Sequence, residues 1–577
     1  MKKLLLAIAL LVPLFAYADG VKADKAQAVA ENFMNAGTKG GRMLRLISQN
    51  SAYYVFNAEG GGFVVVSAED AVTPILAYSD TGSFPVDNMA PGLADWMEGL
   101  RTNIDEVRRS GAKASAAVRE TWAAVMESRY NPATAAGANE KVLETALWDQ
   151  GDPYNRLSPT VDGKRAVTGC VATAISIIMY YYKYPVKGTG TLPDYDYTTS
   201  KGKNRHQEGK ELGNEYEWDK MLPKYQGVSF SSEQANAVAQ LMFDVGVMCQ
   251  MGFNADGSGA STAFSVSQLP EYMGFDKSLY FVSKGIFTAA EWIERISAEI
   301  DEGRPVLYSG YDATGGHAFV CDGYNSEGFL SFNWGWSGSG NGFYALTDMA
   351  GFTRGNVGVF NLKPDEGGEA NAGIFSYTGI STSQKNITKD KEFKARLENV
   401  SVEIASSSSD APVYVVLGKF SKDDELVEFP SELYALSLPA GYYWPAIDFK
   451  VKIQSDIAPG DYLRPLYTLD DYSSSSAVWH LLPWKTGDEE GDEVLSLMNN
   501  DSLLYNTSLS YDAGTRTATL TTYAGATFTL TSGGQDFSSA ATKTGETLTI
   551  DGTKLAAGTY TLTLVYETLS NSIELTF

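Results

Sequence analysis

Residues 168–174 (TGCVATA), which continue as an almost wholly apolar run to Tyr182, are the stretch on which the interpretation of this sequence rests. A cysteine follows a Thr-Gly turn, and the run behind it predicts a buried helix that begins at Cys170. The N-terminus of a helix carries unpaired N–H groups and partial positive charge, which favour the nucleophilic thiolate. For this stretch alone, the alternative is a small buried thiol without a chemical role.

A second stretch supplies a partner for the cysteine. Residues 305–310, 317–324, 329–332 and 343–346 predict an antiparallel meander in which His317 opens one strand and Asn333-Trp334 ends the next. Taken singly, His317 reads as a loop histidine and Asn333-Trp334 as a turn residue and a core aromatic. A cysteine on a helix followed by histidine and asparagine on a sheet predicts a papain-like two-lobed site.

The other histidines and cysteines are few. His206 lies in a polar loop and His480 far downstream, so we expect neither to act with Cys170. The cysteine count is odd, which leaves at least one free thiol and leaves open a disulfide between Cys249 and Cys321. The histidines are scattered and no HExxH or phosphate-binding loop occurs, so the sequence predicts neither a metal nor a cofactor.

Composition limits the partners. The chain has 577 residues, too many for one core, and a net charge of −25 that argues against nucleic acid and anionic membranes as partners. Residues 1–18 combine a basic start, an apolar stretch and an A-x-A cleavage site, which predicts a signal peptide. We therefore expect a secreted protein, either extracellular or at the periplasm or surface of a bacterium, without a later membrane span.

Five segments are predicted. After the signal peptide, helical and strand patterns around a Gly60-Gly61-Gly62 turn predict an α+β domain over residues 19–137, which ends in a small, polar linker. The papain-like domain covers residues 138–364, with capping boxes at Ser231/Gln234 and Thr288/Glu291. Residues 365–484 and 485–577 predict two Ig-like β-sandwiches, joined by an acidic linker over 485–493. The last one is expected to be an accessory or a sorting domain.

Residues 19–364 resemble the streptopain (C10) family of secreted cysteine peptidase zymogens through YYVFN, GGFVVVSAED, WDQGDPYN, TGCVATA, GRPVLYSG, GGHAFVCDGY and NWGWSGSGNGFYAL. The resemblance implies that Cys170 is the nucleophile and His317 the general base and later acid. It further implies an oxyanion hole formed by the Gln150 side chain and the Cys170 backbone N–H. The remaining implied roles are orientation of His317 by Asn333, shielding of that bond by Trp334, and a substrate cleft along Gly316 and Ser258.

The expected function is that of a secreted endopeptidase acting on proteins or peptides. Its own prodomain would cover the cleft and displace His317, until cleavage between about residues 130 and 141, carried out by the enzyme itself, removes it. Two alternatives stay open. The same site could serve a cell-wall peptide amidase or acyltransferase, or the chain could be a non-catalytic surface binding protein.

Overall fold

The computed structural model describes residues 20–36, 41–129, 140–311, 316–346, 354–368, 374–384, 387–402, 413–436, 443–473, 477–486, 489–492, 494–498, 503, 509–523, 525–566 and 569–577. The chain forms two compact units. One contains residues 1–371 with the short stretch 404–407, and the other contains residues 372–403 and 408–577. Among the described residues, none of the helices is long and apolar enough to cross a membrane.

The N-terminal region, residues 20–129, packs helices against a four-stranded antiparallel arrangement. Its elements are α1 (Ala23–Asn35), β1 (Leu44–Gln49), β2 (Tyr53–Ala58), β3 (Phe63–Ser67), β4 (Ile75–Ser79), α2 (Pro91–Ser110) and α3 (Ala116–Met126). The predicted hairpin around the glycine turn is confirmed, since β2 pairs with β3 and all three glycines have positive φ. In the sequence, the helical spacing of Leu93, Trp96, Met97 and Leu100 predicts an amphipathic helix, which is confirmed as α2. The sequence analysis did not single out β1 and α3.

The central region, residues 140–368, carries the predicted Cys170 helix and meander. Its helices are α4 (Cys170–Tyr182), α5 (Ser232–Met248), α6 (Thr262–Ser267), α7 (Leu269–Met273) and α8 (Ala289–Asp301). Its strands are β5 (Lys141–Val142), β6 (Thr160–Val161), β7 (Lys164–Arg165), β8 (Thr191–Leu192), β9 (Tyr195–Thr198), β10 (Asn204–Gln207), β11 (Lys210–Glu211), β12 (Tyr280–Ser283), β13 (Val306–Tyr311), β14 (Gly316–Tyr324), β15 (Phe329–Asn333), β16 (Gly342–Ala345) and β17 (Arg354–Phe360). Both predicted capping boxes are present, at the starts of α5 and α8.

One sheet runs through both regions. Its strand order is β1-β2-β3-β4-β16-β15-β14-β13-β17-β12, with β5 also paired to β14. The predicted meander β13-β14-β15-β16 is confirmed and lies in the middle of this sheet. The two regions join where β4 pairs antiparallel with β16, through Tyr78 opposite Phe343 and Ala77 opposite Tyr344.

The two regions also share a hydrophobic core. Trp96 of α2 is fully buried among aromatic rings of the central sheet, with its ring centroid 4.8 Å from Phe332, 6.3 Å from Trp334 and 6.2 Å from Tyr308. A buried aromatic side chain removes roughly 150–250 Å² of surface from water. The helix α2 is therefore anchored directly over the strands that carry the candidate site.

The C-terminal unit is built from strands. They are β18 (Ile374–Ser381), β19 (Glu392–Val402), β20 (Val413–Phe420), β21 (Leu426–Glu428), β22 (Tyr434–Leu436), β23 (Tyr443–Lys452), β24 (Tyr462–Thr468), β25 (His480–Leu481), β26 (Pro483–Thr486), β27 (Glu489–Asp492), β28 (Leu495–Ser496), β29 (Ser510–Asp512), β30 (Thr517–Thr521), β31 (Thr527–Ser532), β32 (Gln535–Asp536), β33 (Ala541–Thr544), β34 (Thr547–Asp551), β35 (Thr559–Tyr566) and β36 (Leu569–Thr576). Two larger sheets, β23-β19-β18-β26-β27 and β21-β20-β24-β25, come first. The sheets β29-β30-β34-β33 and β32-β31-β35-β36 follow and share one apolar core. The predicted all-β character of this part is confirmed.

The acidic stretch 485–493 was expected to be a solvated linker, and this expectation is wrong for the residues that are described. Strands β26 and β27 form a hairpin in which Lys485 lies opposite Glu490, and β26 pairs in parallel with β18. Acidic side chains are compatible with a strand whenever the side chains reach solvent while the backbone groups pair. Composition alone therefore did not separate a linker from an edge hairpin.

Candidate active site

Cys170 begins α4 at a turn that only glycine fits. The preceding Gly169 has a φ of +90° and caps the helix. A Cβ atom at Gly169 would lie 2.6 Å from Sδ of Met251 and 3.0 Å from the carbonyl oxygen of Ser258. The chain can therefore turn into the helix one residue before the cysteine, which places the thiol at the helix N-terminus as the sequence predicts.

The surroundings of the Cys170 sulfur do not favour the thiolate in this structure. Burial raises the pKa of the thiol above its usual value, and hydrogen bonds from the backbone N–H groups of Ala318, Val171 and Cys170 itself lower it only in part. The contact with Ala318 places the sulfur beside β14, next to His317. The expected nucleophile therefore lies close to its expected base, and burial disfavours its thiolate form.

His317 is held by the N-terminal region. Its Nε2 atom lies 3.0 Å from Oδ2 of Asp95 on α2, and the two side chains are only 21% and 12% exposed. The sequence analysis expected the prodomain to displace His317 but did not identify the residue responsible. The signal was present, because Asp95 is an acidic residue set among Leu93, Trp96 and Met97 on the buried part of the helix.

The close approach of α2 depends on a small residue. A Cβ atom at Gly92, in the first turn of α2, would lie 3.3 Å from Cε3 of Trp334 and 3.5 Å from Cβ of His317. A methyl group would touch His317 at ordinary van der Waals distance and would require the Trp334 ring to shift by a few tenths of an ångström, so there is no room for a larger side chain without movement of these residues. Gly92 therefore lets the start of the helix lie directly against the strand that carries His317.

Gln150 lies beside the loop that leads to Cys170. Its backbone carbonyl oxygen accepts a hydrogen bond of 3.1 Å from the N–H of Thr168, two residues before the cysteine. The residue is 7% exposed. This position is compatible with the implied oxyanion role of its side chain, which stays a prediction.

Asn333 is fully buried, and its amide is engaged away from His317. The Nδ2 atom donates to Oγ1 of Thr145 and to the carbonyl oxygen of Ala146, both at 2.9 Å, and Oδ1 accepts the N–H of Gly335 at 3.1 Å. In the sheet, Asn333 lies opposite Val320, three residues beyond His317. The expected bond between Asn333 and His317 is therefore not formed in this state of the molecule.

Trp334 packs on the same strand as the histidine. Its ring centroid lies 4.5 Å from that of Phe319, and its Nε1–H donates to the carbonyl oxygen of Gly340 at 3.1 Å. The side chain is 3% exposed. The ring closes the interior side of β14 near His317, and its expected role as a shield for a hydrogen bond stays a prediction.

The two expected cleft residues belong to two different segments of the central region. Gly316 is exposed at the first position of β14. Ser258 is buried. Its hydroxyl donates a hydrogen bond of 2.7 Å to the carbonyl oxygen of Val167 and accepts one of 2.9 Å from the N–H of Asn254. The Ser258 side chain thus holds the loop before Cys170, and its main chain is the part that lies near Gly169.

The remaining histidines and cysteines lie elsewhere. His206 is on the exposed hairpin of β9 and β10, where a hydrogen bond to Asp196 raises its pKa, and His480 belongs to β25 of the C-terminal unit. Cys249 and Cys321 are both buried and free, so the disulfide that the sequence left open is not formed. No cluster of three or more potential metal ligands occurs within the described part of the chain.

Comparison with known proteins identifies the family. The Peptidase C10 family pattern matches residues 148–344, and that of the Spi protease inhibitor matches residues 18–104. Streptopain of Streptococcus pyogenes serotype M1 is 34% identical over 329 residues, which cover 54% of this chain and 78% of that protein. The chain belongs to the peptidase C10 family. It therefore contains a cysteine-type endopeptidase domain, preceded by an inhibitor-like region.

Other relatives of this C10 peptidase differ in extent. Thiol protease/hemagglutinin PrtT of Porphyromonas gingivalis is 34% identical over 345 residues, which cover 57% of this chain but only 39% of that protein. A solved fragment of Prevotella intermedia prointerpain A is 29% identical, with a TM-score of 0.47, and covers 56% of this chain and 99% of that fragment. Active interpain A is 33% identical, with a TM-score of 0.35, and covers 39% of this chain and 94% of that chain.

Proposed function

We propose that this C10 peptidase is a secreted endopeptidase made as a zymogen, and that it hydrolyses peptide bonds of proteins through an acyl-enzyme on Cys170. The contact between Asp95 and His317 carries the proposal. It joins the expected base of the site to the inhibitor-like region, one residue from the backbone N–H that contacts the nucleophile. The apolar pattern of residues 1–18 supports secretion.

The proposed chemistry begins when the N-terminal region leaves. His317 then takes the proton of the Cys170 thiol, and the thiolate attacks the carbonyl carbon of the substrate. The side-chain amide of Gln150 and the backbone N–H of Cys170 stabilise the resulting oxyanion, each donor contributing about 3 kcal/mol. His317 returns the proton to the leaving amine and afterwards deprotonates the water that releases the acid.

The proposed activation step lies in the connection between the two regions. Cleavage within residues 130–141 would cut the chain between α3 and β5, and residues 130–139 of this stretch lie outside those that the structure describes. A protease that inhibits itself through Asp95 and Gly92 would stay inactive until that cut allows α2 to leave. We propose that residues 19–137 form the inhibitory prodomain and that the enzyme makes the cut itself.

The test compares four purified full-length zymogens under reducing conditions: wild type, Cys170→Ala, His317→Ala and His206→Ala. We expect wild type and His206→Ala to lose the N-terminal region and digest casein, while the other two variants do neither. His206 is the matched control, because it is a histidine on an exposed hairpin. Hydrolysis by Cys170→Ala would refute the proposed nucleophile. Cleavage of cell-wall peptides but not of casein would favour the alternative hypothesis of a cell-wall peptide amidase.

A further inference from the structure

The carboxylate of Asp149 connects the two sides of the candidate cleft. Its Oδ1 atom accepts the backbone N–H of Gln150 at 2.6 Å, and its Oδ2 atom accepts the hydroxyl of Ser337 at 2.7 Å. In return, the backbone N–H of Ser337 donates to the carbonyl oxygen of Trp148 at 2.9 Å. Two segments that are almost two hundred residues apart in sequence are thereby tied together at Gln150.

The segment with Trp148 and the segment with Ser337 are each also held by neighbouring parts of the central region. Trp148 is fully buried, and its Nε1–H donates to the carbonyl oxygen of Leu222 at 2.8 Å, away from the sheet. Ser337 lies in the turn between β15 and β16, which follows Asn333-Trp334 in the sheet. The Asp149–Ser337 pair therefore bridges the part of the region that carries Gln150 and the part that carries His317.

The backbone at Ser337 is strained. Its φ of +54° lies in the left-handed region, which a residue with a side chain adopts only when its surroundings impose it. The neighbouring Gly335 and Gly338 also have positive φ, but they have no side chain to resist it. A charged acceptor gives the stronger kind of hydrogen bond, so Asp149 is suited to hold the serine in this conformation.

The hydrogen bonds of the bridge lie within the central region, although the turn that carries Ser337 also packs against α2, where a Cβ atom at Gly340 would lie 2.5 Å from Cδ2 of Leu93. Asp149, Gln150 and Ser337, together with Trp148, all belong to the central region, whereas His317 contacts Asp95 of α2. We expect removal of the N-terminal region to free the histidine while the hydrogen bonds of the bridge, which that region does not supply, persist. This difference separates a part of the site that is already formed from a part that activation has to form.

We propose that Asp149 is a positioning residue for the peptidase reaction, which keeps Gln150 in place so that its side-chain amide can donate to the oxyanion of the transition state. The inference rests on the proposed function, because it assumes the oxyanion role of Gln150. Asp149 acts through Gln150 and does not contact the substrate. Replacement of Asp149 should lower the rate of acylation by about 10- to 100-fold. This loss should not exceed the loss caused by replacement of Gln150, which removes the donor itself.

The test uses the full-length chain after activation, as wild type, Asp149→Ala, Ser337→Ala, Gln150→Ala and the double variant Asp149→Ala/Gln150→Ala. Two rates are measured for each: kcat for a peptide substrate, and alkylation of Cys170 by iodoacetamide. Alkylation needs the thiolate but forms no oxyanion, so a positioning role at Gln150 leaves it unchanged. We expect Asp149→Ala to lower kcat without changing alkylation, and the double variant to be no slower than Gln150→Ala.

Three outcomes decide the matter. Unchanged kcat in Asp149→Ala, or an equal fall in kcat and alkylation, overturns the inference, since the second result means general damage to the fold. Fully additive losses in the double variant also overturn it. Should Asp149→Ala fail to fold, Ser337→Ala removes one bond of the same carboxylate and must show the same selective loss of kcat. Failure of the proposed function appears separately, as a wild-type chain that does not hydrolyse the peptide.

Discussion

Replacement of Asp95 by Asn should weaken inhibition without changing the shape of the prodomain. Asn has nearly the same size as Asp but carries no charge, so α2 can still pack while its hold on the His317 ring is reduced. The fraction of zymogen molecules in which His317 can reach Cys170 should rise. The Cys170 thiol, whose pKa burial now raises, should then react faster.

The size of the effect follows from the geometry. A protonated His317 ring and the Asp95 carboxylate at this separation of 3.0 Å would attract each other by about 5.5 kcal/mol at an effective dielectric constant of about 20. Most of this attraction would be cancelled by the cost of removing both groups from water, which leaves about 1.5–3 kcal/mol for a partly buried contact of this kind. Since about 1.4 kcal/mol is a factor of ten, we expect alkylation of the zymogen to accelerate about tenfold for Asn and up to about a hundredfold for Ala.

The assay is alkylation of the intact zymogen by excess iodoacetamide, which traps each competent molecule before it can cleave another. Peptide mass spectrometry shows which of the three thiols is modified. Cys249 and Cys321 should react slowly, because both are buried and burial raises the pKa of both. The control is Glu98→Gln, which makes the same charge change on α2 at a half-exposed residue paired with Arg101.

One result would refute this reasoning. If Asp95→Asn is alkylated at the same rate as wild type and Glu98→Gln, the carboxylate does not hold His317. Inhibition would then depend on the packing of α2 around Gly92, and a bulky substitution at that glycine would be required to relieve it.

Two further predictions concern the peptidase domain itself. Gly169→Ala should abolish activity and lower the free energy of unfolding by at least about 1–3 kcal/mol, because the new Cβ would meet Met251 and Ser258 and the backbone there has a positive φ. Activity and urea unfolding are compared with those of Gly257→Ala, whose new Cβ would lie in open space. Burial raises the pKa of Asp322 to about 6, so the folded state binds its proton more tightly than the unfolded state and stability falls as pH rises through that value. In the Cys170→Ala background, the free energy of unfolding of Asp322→Asn relative to the chain that keeps Asp322 should therefore rise by up to about 3 kcal/mol between about pH 4 and pH 7. A difference in urea unfolding that does not change with pH would contradict this.

The parts of the fold that the sequence predicted are those with local signals. The apolar run behind Cys170, the capping boxes and the alternating strands around His317 each depend on residues close together in the chain, and each is confirmed. The pairing of β4 with β16 has no such signal. Its partners, such as Ala77 and Tyr344, are distant in sequence, and either strand alone reads as an ordinary buried strand.

The sequence predicted which residues form the candidate site, but not the ionisation of Cys170 or the position of the His317 ring. Helix geometry correctly placed Cys170 at an N-terminus, which favours the thiolate. Whether that influence prevails depends on burial of the thiol and on the position of the His317 ring, and the ring is held by Asp95 on α2 of another region. Asp95 lies within a helix whose prediction rested only on the spacing of its apolar residues, so the sequence analysis did not single out its carboxylate.

The distribution of contacts explains how a single removable region can control this site. Gln150 and the Cys170 loop are joined by bonds within the central region, and Asp149 connects them to the turn after Trp334. His317 is held by Asp95 of α2, and Trp334 packs against Trp96 of the same helix. Inhibition therefore acts on the one group that must exchange a proton in each step of the proposed reaction. We therefore expect departure of α2 to release the His317 imidazole, while the bonds that join Asp149, Gln150 and the Cys170 loop, which lie within the central region, are kept.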